Sequence, residues 1–111
     1  MSKYHSRKLE TPDGTFDSRR EYERWCELKL LERAGKITGL RRQVKFELVP
    51  TQRAPGKKGK VIEFPVNYIA DFVYDENGRT VVEDSKGFRT DDYIIKRKLM
   101  LWVHGIRIKE T

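Results

Sequence analysis

The sequence predicts an α/β domain in which a helix, three strands, a second helix and a last strand follow one another around a mixed sheet. Three observations predict it. Asn77-Gly78 lies between two apolar, β-branched runs, residues 67–74 and 79–84, the strongest short-range signal for a two-residue hairpin. Two stretches of helix-forming residues open on a hydroxyl residue, Ser18 or Thr90, and are stopped by a glycine, Gly35 or Gly105. Between them, residues 43–49 alternate apolar Val44, Phe46 and Leu48 with polar Gln43, Lys45 and Glu47, as a half-buried strand does. At 111 residues and 37% hydrophobic content the chain is one domain with a modest core rather than a disordered segment.

Each element has its own warrant. Residues 1–15 are polar, carry the turn signal Pro12-Asp13-Gly14, and are expected to form an irregular arm ahead of a single domain over residues 16–111. The first helix spans residues 18–34, where Ser18-Arg19-Arg20-Glu21 matches a capping box. At 100° per residue Glu21 shares a face with Trp25 and Leu28, whereas Glu23 and Glu27 point away. An acid within an apolar stripe calls for an explanation beyond solubility. Residues 51–60 read as a loop, broken by Pro55, Gly56 and Gly59 and charged by Arg53, Lys57, Lys58 and Lys60. Residues 61–74 form a long strand, interrupted at Pro65, and residues 79–86 return to Gly87. Thr90 caps a helix that runs to about Trp102, with Asp91 and Asp92 in its first turn and Lys96, Arg97 and Lys98 in its middle. Ile106-Arg107-Ile108 reads as the last short strand. Tyr22, Trp25, Phe64, Phe72, Tyr93 and Trp102 are expected in the core; Tyr68 and Phe88 stand open between core and base-stacking roles.

Composition narrows the function. Lys and Arg number 24 against 17 Asp and Glu, a net charge of +7 that favours an anionic partner, most simply nucleic acid. Cys26 is alone, so no internal disulfide forms, in keeping with a reducing cytoplasm. His5 and His104 lack metal-ligand spacing, and a structural zinc site is not expected. The charged N-terminus has no apolar leader region and no run reaches transmembrane length, so no membrane association is expected.

The hairpin spacing converts into chemistry. With Asn77 and Gly78 as the loop, Glu76 faces Arg79, Tyr74 faces Val81 and Asp71 faces Asp84. Directly opposed residues share a face with Cβ atoms about 4.5–5.5 Å apart. Alternation puts Lys86 on the face of Asp84 and Glu83 on the other. A four-residue loop over 75–78 would instead set Asp71 opposite Val82 and leave Asp84 diagonal, still within reach of one cation. Opposed carboxylates repel unless a cation lies between them. A divalent metal beside a lysine suits phosphodiester hydrolysis. The plainer readings are a solvated ion cluster for Asp71, Asp84 and Lys86, and a simple cap for Glu21.

The element order and these residues resemble the PD-(D/E)XK nuclease superfamily, whose restriction-endonuclease-like core runs α-β-β-β-α-β. Its acids match Asp71 and Asp84-Ser85-Lys86, and the first-helix glutamate of many members, Holliday-junction resolvases among them, matches Glu21. The chain is most similar to a small phage- and prophage-encoded, resolvase-like family. That similarity lies in Phe16-Asp17-Ser18-Arg19-Arg20-Glu21, Ala70-Asp71-Phe72 and Glu83-Asp84-Ser85-Lys86-Gly87, and covers roughly residues 16–109. Ala70 stands where the superfamily name has Pro. The resemblance implies an Mg²⁺- or Mn²⁺-dependent endodeoxyribonuclease acting on branched DNA, as a homodimer, in the cytoplasm of a bacterial host. Asp71, Asp84, Glu21 and the Ser85 backbone carbonyl would be the metal ligands, and Lys86 would serve the attacking water. The expected DNA contacts are Arg41, Arg42, Gln43, Arg53, Lys57, Lys58, Lys60, Lys96 and Lys98. The competing functions are a non-catalytic nucleic-acid-binding protein that keeps this fold and a packaging protein of a phage particle.

Overall fold

The structure is a computed structural model and describes residues 8–56 and 58–111. The chain forms a mixed α/β fold. A four-stranded sheet has the order β3 (Thr38–Val49), β6 (Val66–Glu76), β7 (Arg79–Asp84), β8 (Lys109–Glu110). The first two pairings are antiparallel and β7–β8 is parallel. Helix α1 (Arg19–Arg33) covers one face, where Trp25 and Leu28 pack with Ile37, Phe72 and Tyr74. Helix α2 (Asp91–His104) covers the other, where Tyr93, Leu99 and Met100 pack with Tyr68, Ala70, Val73 and Val82. Among the described residues no helix is long and apolar enough to cross a membrane.

Local chemistry sets these limits. Ser18 accepts a hydrogen bond from the Glu21 N–H at 3.1 Å, and Thr90 accepts one from the Tyr93 N–H at 3.2 Å. Gly105 ends α2 in the left-handed region at φ 67°. The tight turn follows the two-residue geometry, with Asn77 at φ 52° and Gly78 at φ 76°. The pairs Glu76–Arg79, Tyr74–Val81 and Phe72–Glu83 have the expected register; the ladder ends there, with Asp71 and Asp84 the next residue on each strand.

Four expectations need correction. Within the N-terminal arm, β1 (Leu9–Thr11) and β2 (Gly14–Phe16) form a hairpin; Phe16 is buried and residues 1–7 lie outside the described residues. The first sheet strand begins at Thr38, earlier than its regular alternation. The loop over 51–60 is part of a projecting finger, with β4 (Gln52–Arg53) paired to β5 (Val61–Glu63). Its turn requires Gly59, where a Cβ would lie 2.0 Å from the Ala54 carbonyl oxygen. The last strand is Lys109–Glu110, because Ile106 and Ile108 go into the core and the parallel ladder is made beyond them.

One buried ion pair joins α1 to β7. Glu83 is fully buried on the α1 face, where Arg24 donates from Nε at 2.5 Å and from Nη2 at 3.1 Å. Tyr74 donates its hydroxyl at 2.5 Å and Thr111 at 3.2 Å. Burial alone would raise the Glu83 carboxyl, but Arg24 and Tyr74 outweigh it and hold the group below its ordinary range. Arg24→Met should destabilise the fold by about 3–5 kcal/mol in urea unfolding, because it leaves the carboxylate buried without its cation. The double variant Arg24→Met/Glu83→Gln should recover part of that loss. No recovery would mean that packing, not charge, carries the contact.

Candidate active site

The two acids sit where paired strands exchange faces. In β3 and β6 the register pairs Arg42 with Phe72 and Val44 with Ala70, which sets Gln43 against Asp71. On one side of that point Leu40, Phe72 and Tyr74 face α1. On the other, Val44, Phe46, Tyr68 and Ala70 face α2. Strict alternation would keep all even-numbered residues of a strand on one face. Gln43 takes up the change with φ 53°, a conformation that costs a non-glycine residue about 1–2 kcal/mol. Asp71 therefore lies at the seam of two cores and is only 8% exposed.

Asp84 is 1% exposed. Its Oδ2 accepts the Tyr68 hydroxyl. Its Oδ1 has no hydrogen-bond donor; the Lys86 ammonium lies 3.3 Å away, within ion-pair range but not in hydrogen-bonding geometry. That ammonium also lies 4.9 Å from the Tyr93 ring centre, and Tyr93 donates its hydroxyl to Glu110 at 2.7 Å. Asp71 Oδ2 accepts the Ser85 N–H at 2.9 Å. Burial, then the negative charge of Asp84, then that of Glu21, push the Asp71 carboxyl up to about 8. Two adjacent buried acids cannot both be ionised comfortably, so the pair holds either a proton or a cation.

Glu21 is buried at the start of α1, 3.4 Å from the Gln43 amide and 3.5 Å from Arg42. Burial and the neighbouring Asp17 raise its carboxyl against the opposing pull of Arg42. Glu21, Asp71, Ser85, Lys86 and Phe88 line one cleft of about 840 Å³; Asp84, next to Ser85 in the chain, is buried and does not line it. Among the described residues no three His, Cys, Asp or Glu side chains converge closely enough to hold a metal together. The expected third ligand is thus in the cleft but turned toward Gln43 and Arg42.

The donor set still fits a hard dication. Two carboxylates present oxygen only, one buried oxygen lacks a donor, and Mg²⁺ commonly takes one or two protein carboxylates and completes its shell with water.

A family model described as "Protein of unknown function (DUF1064)" matches residues 1–107. The chain belongs to the DUF1064 family. No curated protein and no solved structure matches it.

In this DUF1064 member the expected phosphate contacts fall in three places. Lys58 and Lys60 are exposed on the finger, where Arg53 bonds the Gly59 carbonyl at 3.3 Å; Lys57 lies outside the described residues. On β3, Arg41 is exposed and bonds the Gly39 carbonyl at 2.9 Å. Arg42 is not a free surface cation: its guanidinium stacks 3.6 Å from the Phe16 ring centre and bonds the Thr15 carbonyl at 3.0 Å. Lys98 is exposed and Lys96 half-buried on α2. Phe64 and Trp102, expected in the core, are 81% and 86% exposed. Tyr68 is the site residue that strict alternation hides, since it places Tyr68 on the face away from Asp84.

The raised Asp71 carboxyl sets a pH dependence. Its folded value, about 8, exceeds the ordinary 3.8, so the folded protein binds more protons and metal-free stability falls as pH rises from about 4 to about 8. Asp71→Asn, which removes the buried charge, should raise stability in EDTA by roughly 1–3 kcal/mol at pH 9 and by almost nothing at pH 4. Melting temperatures across that range check it; a pH-independent difference would contradict it.

Proposed function

We propose that this protein is a metal-dependent endodeoxyribonuclease of the PD-(D/E)XK kind, cutting phosphodiester bonds in branched DNA, as a Holliday-junction resolvase does. The observation that carries the reading is the buried Asp71–Asp84 pair, in which an Asp84 oxygen lacking a donor lies 3.3 Å from Lys86, and Asp71 and Lys86 line an open cleft. The sequence of the larger elements, α1, β3, β6, β7, α2, β8, supports a restriction-endonuclease-like core. The net charge of +7 supports a nucleic-acid substrate. The homodimer, the phage or prophage origin and the bacterial cytoplasm rest on the resemblance of the motifs.

In this reading Asp71 and Asp84 would hold Mg²⁺ or Mn²⁺. The Ser85 carbonyl would join them, as the resemblance implies; Ser85 is held beside Asp71 through its N–H. When bound, the metal supplies Lewis-acid polarisation of the phosphate and acidifies a water. Lys86 brings a positive charge to the cleft, where it orients the attacking water and offsets charge developing on the phosphoryl oxygens. Tyr68 fixes which oxygen of Asp84 is left for the cation. Glu21, on the cleft wall, would reach the metal directly or through a water. The orientation of Glu21 toward Gln43 and Arg42 favours a second reading, a non-catalytic DNA-binding protein that keeps the fold.

Cleavage of four-way, flap and linear duplex DNA separates the two. Wild type should cut at least one substrate with Mg²⁺ or Mn²⁺ and none in EDTA. Asp84→Ala and Lys86→Ala should abolish cutting and leave DNA binding within about threefold. No cutting by wild type with either metal would leave the binding protein. Tyr68→Phe should weaken Mn²⁺ binding, measured by calorimetry, by about 10-fold or more. An unchanged affinity would remove Tyr68 from the site.

A further inference from the structure

We propose that Phe88 is a base-stacking platform, so that the cleft selects nucleic acid with an unpaired base beside the scissile phosphate; this rests on the nuclease reading. Phe88 is 78% exposed and lines the same cleft as Glu21, Asp71, Ser85 and Lys86. A single exposed phenylalanine on a surface is unremarkable in itself. Its setting separates this one from Phe64 and Trp102, neither of which lines that cleft.

The segment that carries it is fixed at both ends. The Ser85 N–H is held by Asp71 and the Lys86 N–H by the Thr111 carbonyl at 3.2 Å, while Thr90 caps α2. Phe88 is thus presented at a defined place, at most about 7 Å of backbone from Lys86, the reach of roughly one nucleotide. The cleft also contains the acids Asp17, Glu21 and Asp71, opposed by Arg20 and Lys86. With the metal between Asp71 and Asp84, the remaining acids still oppose backbone phosphate elsewhere in the cleft, and a neutral stacking contact adds a hold on the nucleotide that carries no such cost. A base paired and stacked inside a duplex has no free face to offer. A base at a flap, gap or branch point has one, and every base has a π-face, so the contact is tolerant of sequence.

The test uses the full-length protein with Ca²⁺ and oligonucleotides carrying one 2-aminopurine, placed in a single strand, at a flap or within a duplex. Wild type should quench the unpaired probes and not the paired one. Phe88→Ala should lose the quench and bind unpaired substrates about 10-fold more weakly, with duplex affinity changed by less than about twofold. Phe88→Trp should keep both. Equal weakening on every substrate, or quenching that survives Phe88→Ala, would overturn the proposal. Quenching without cleavage of any substrate in either Mg²⁺ or Mn²⁺ would keep the stacking site and remove the nuclease; cleavage without quenching would do the reverse.

Discussion

The fold depends on how a fully buried carboxylate is accommodated. Glu83 lies between β7 and α1, and only the Arg24 guanidinium, with two hydroxyls, makes that burial tolerable. Arg24 is three residues after Glu21, and residues at that spacing are neighbours on a helix surface. Pinning Arg24 to β7 therefore sets the rotation of α1, and Leu28 on the same helix repeats the constraint through packing. Glu21 is consequently held at the cleft wall, with its carboxylate turned to Gln43 and Arg42. On the strand side, Asp84 follows Glu83 directly and points to the opposite face. One ion pair thus positions an acid on each side of the sheet's end.

The exchange of faces at Gln43 and Asp71 does the complementary work on β6. Without it, Tyr68 and Ala70 would lie under α1, and no hydroxyl would reach Asp84 from that strand. With it, both oxygens of Asp84 are differentiated: one is engaged by Tyr68 and one is left beside Lys86. The cost is borne by a glutamine in a left-handed conformation, and strain of this kind collects where a site needs it.

What the sequence made legible follows from how local each signal is. The tight turn reads from two residues, and its register then places Asp71, Asp84 and Lys86 without further information. The caps of both helices read equally well, since a cap is a contact over three residues. The start of β3 was hidden because its apolar residues change face at Gln43, which defeats a period-two pattern. The finger was hidden because its strands are held mainly by each other and by a glycine turn. The role of Arg42 was invisible, since a guanidinium stacked on Phe16 is written in tertiary structure. Tyr68 stood open between two roles, and its contact with Asp84 was hidden by the same change of face as the start of β3; the turning of Glu21 toward Gln43 depends on a contact 22 residues away.

That separation along the chain bears on when the cleft comes into being. Glu83 meets Arg24 across 59 residues and Thr111 across 28, and Ser85 meets Asp71 across 14. Such contacts form only against the entropy of closing the intervening loops. Each wall of the cleft comes from a different part of the chain: α1, β6 and the segment after β7. A fragment ending before β7 would have the helix and the finger but no paired acids. The cleft thus belongs to the completed fold: no shorter stretch of the chain brings its three walls together.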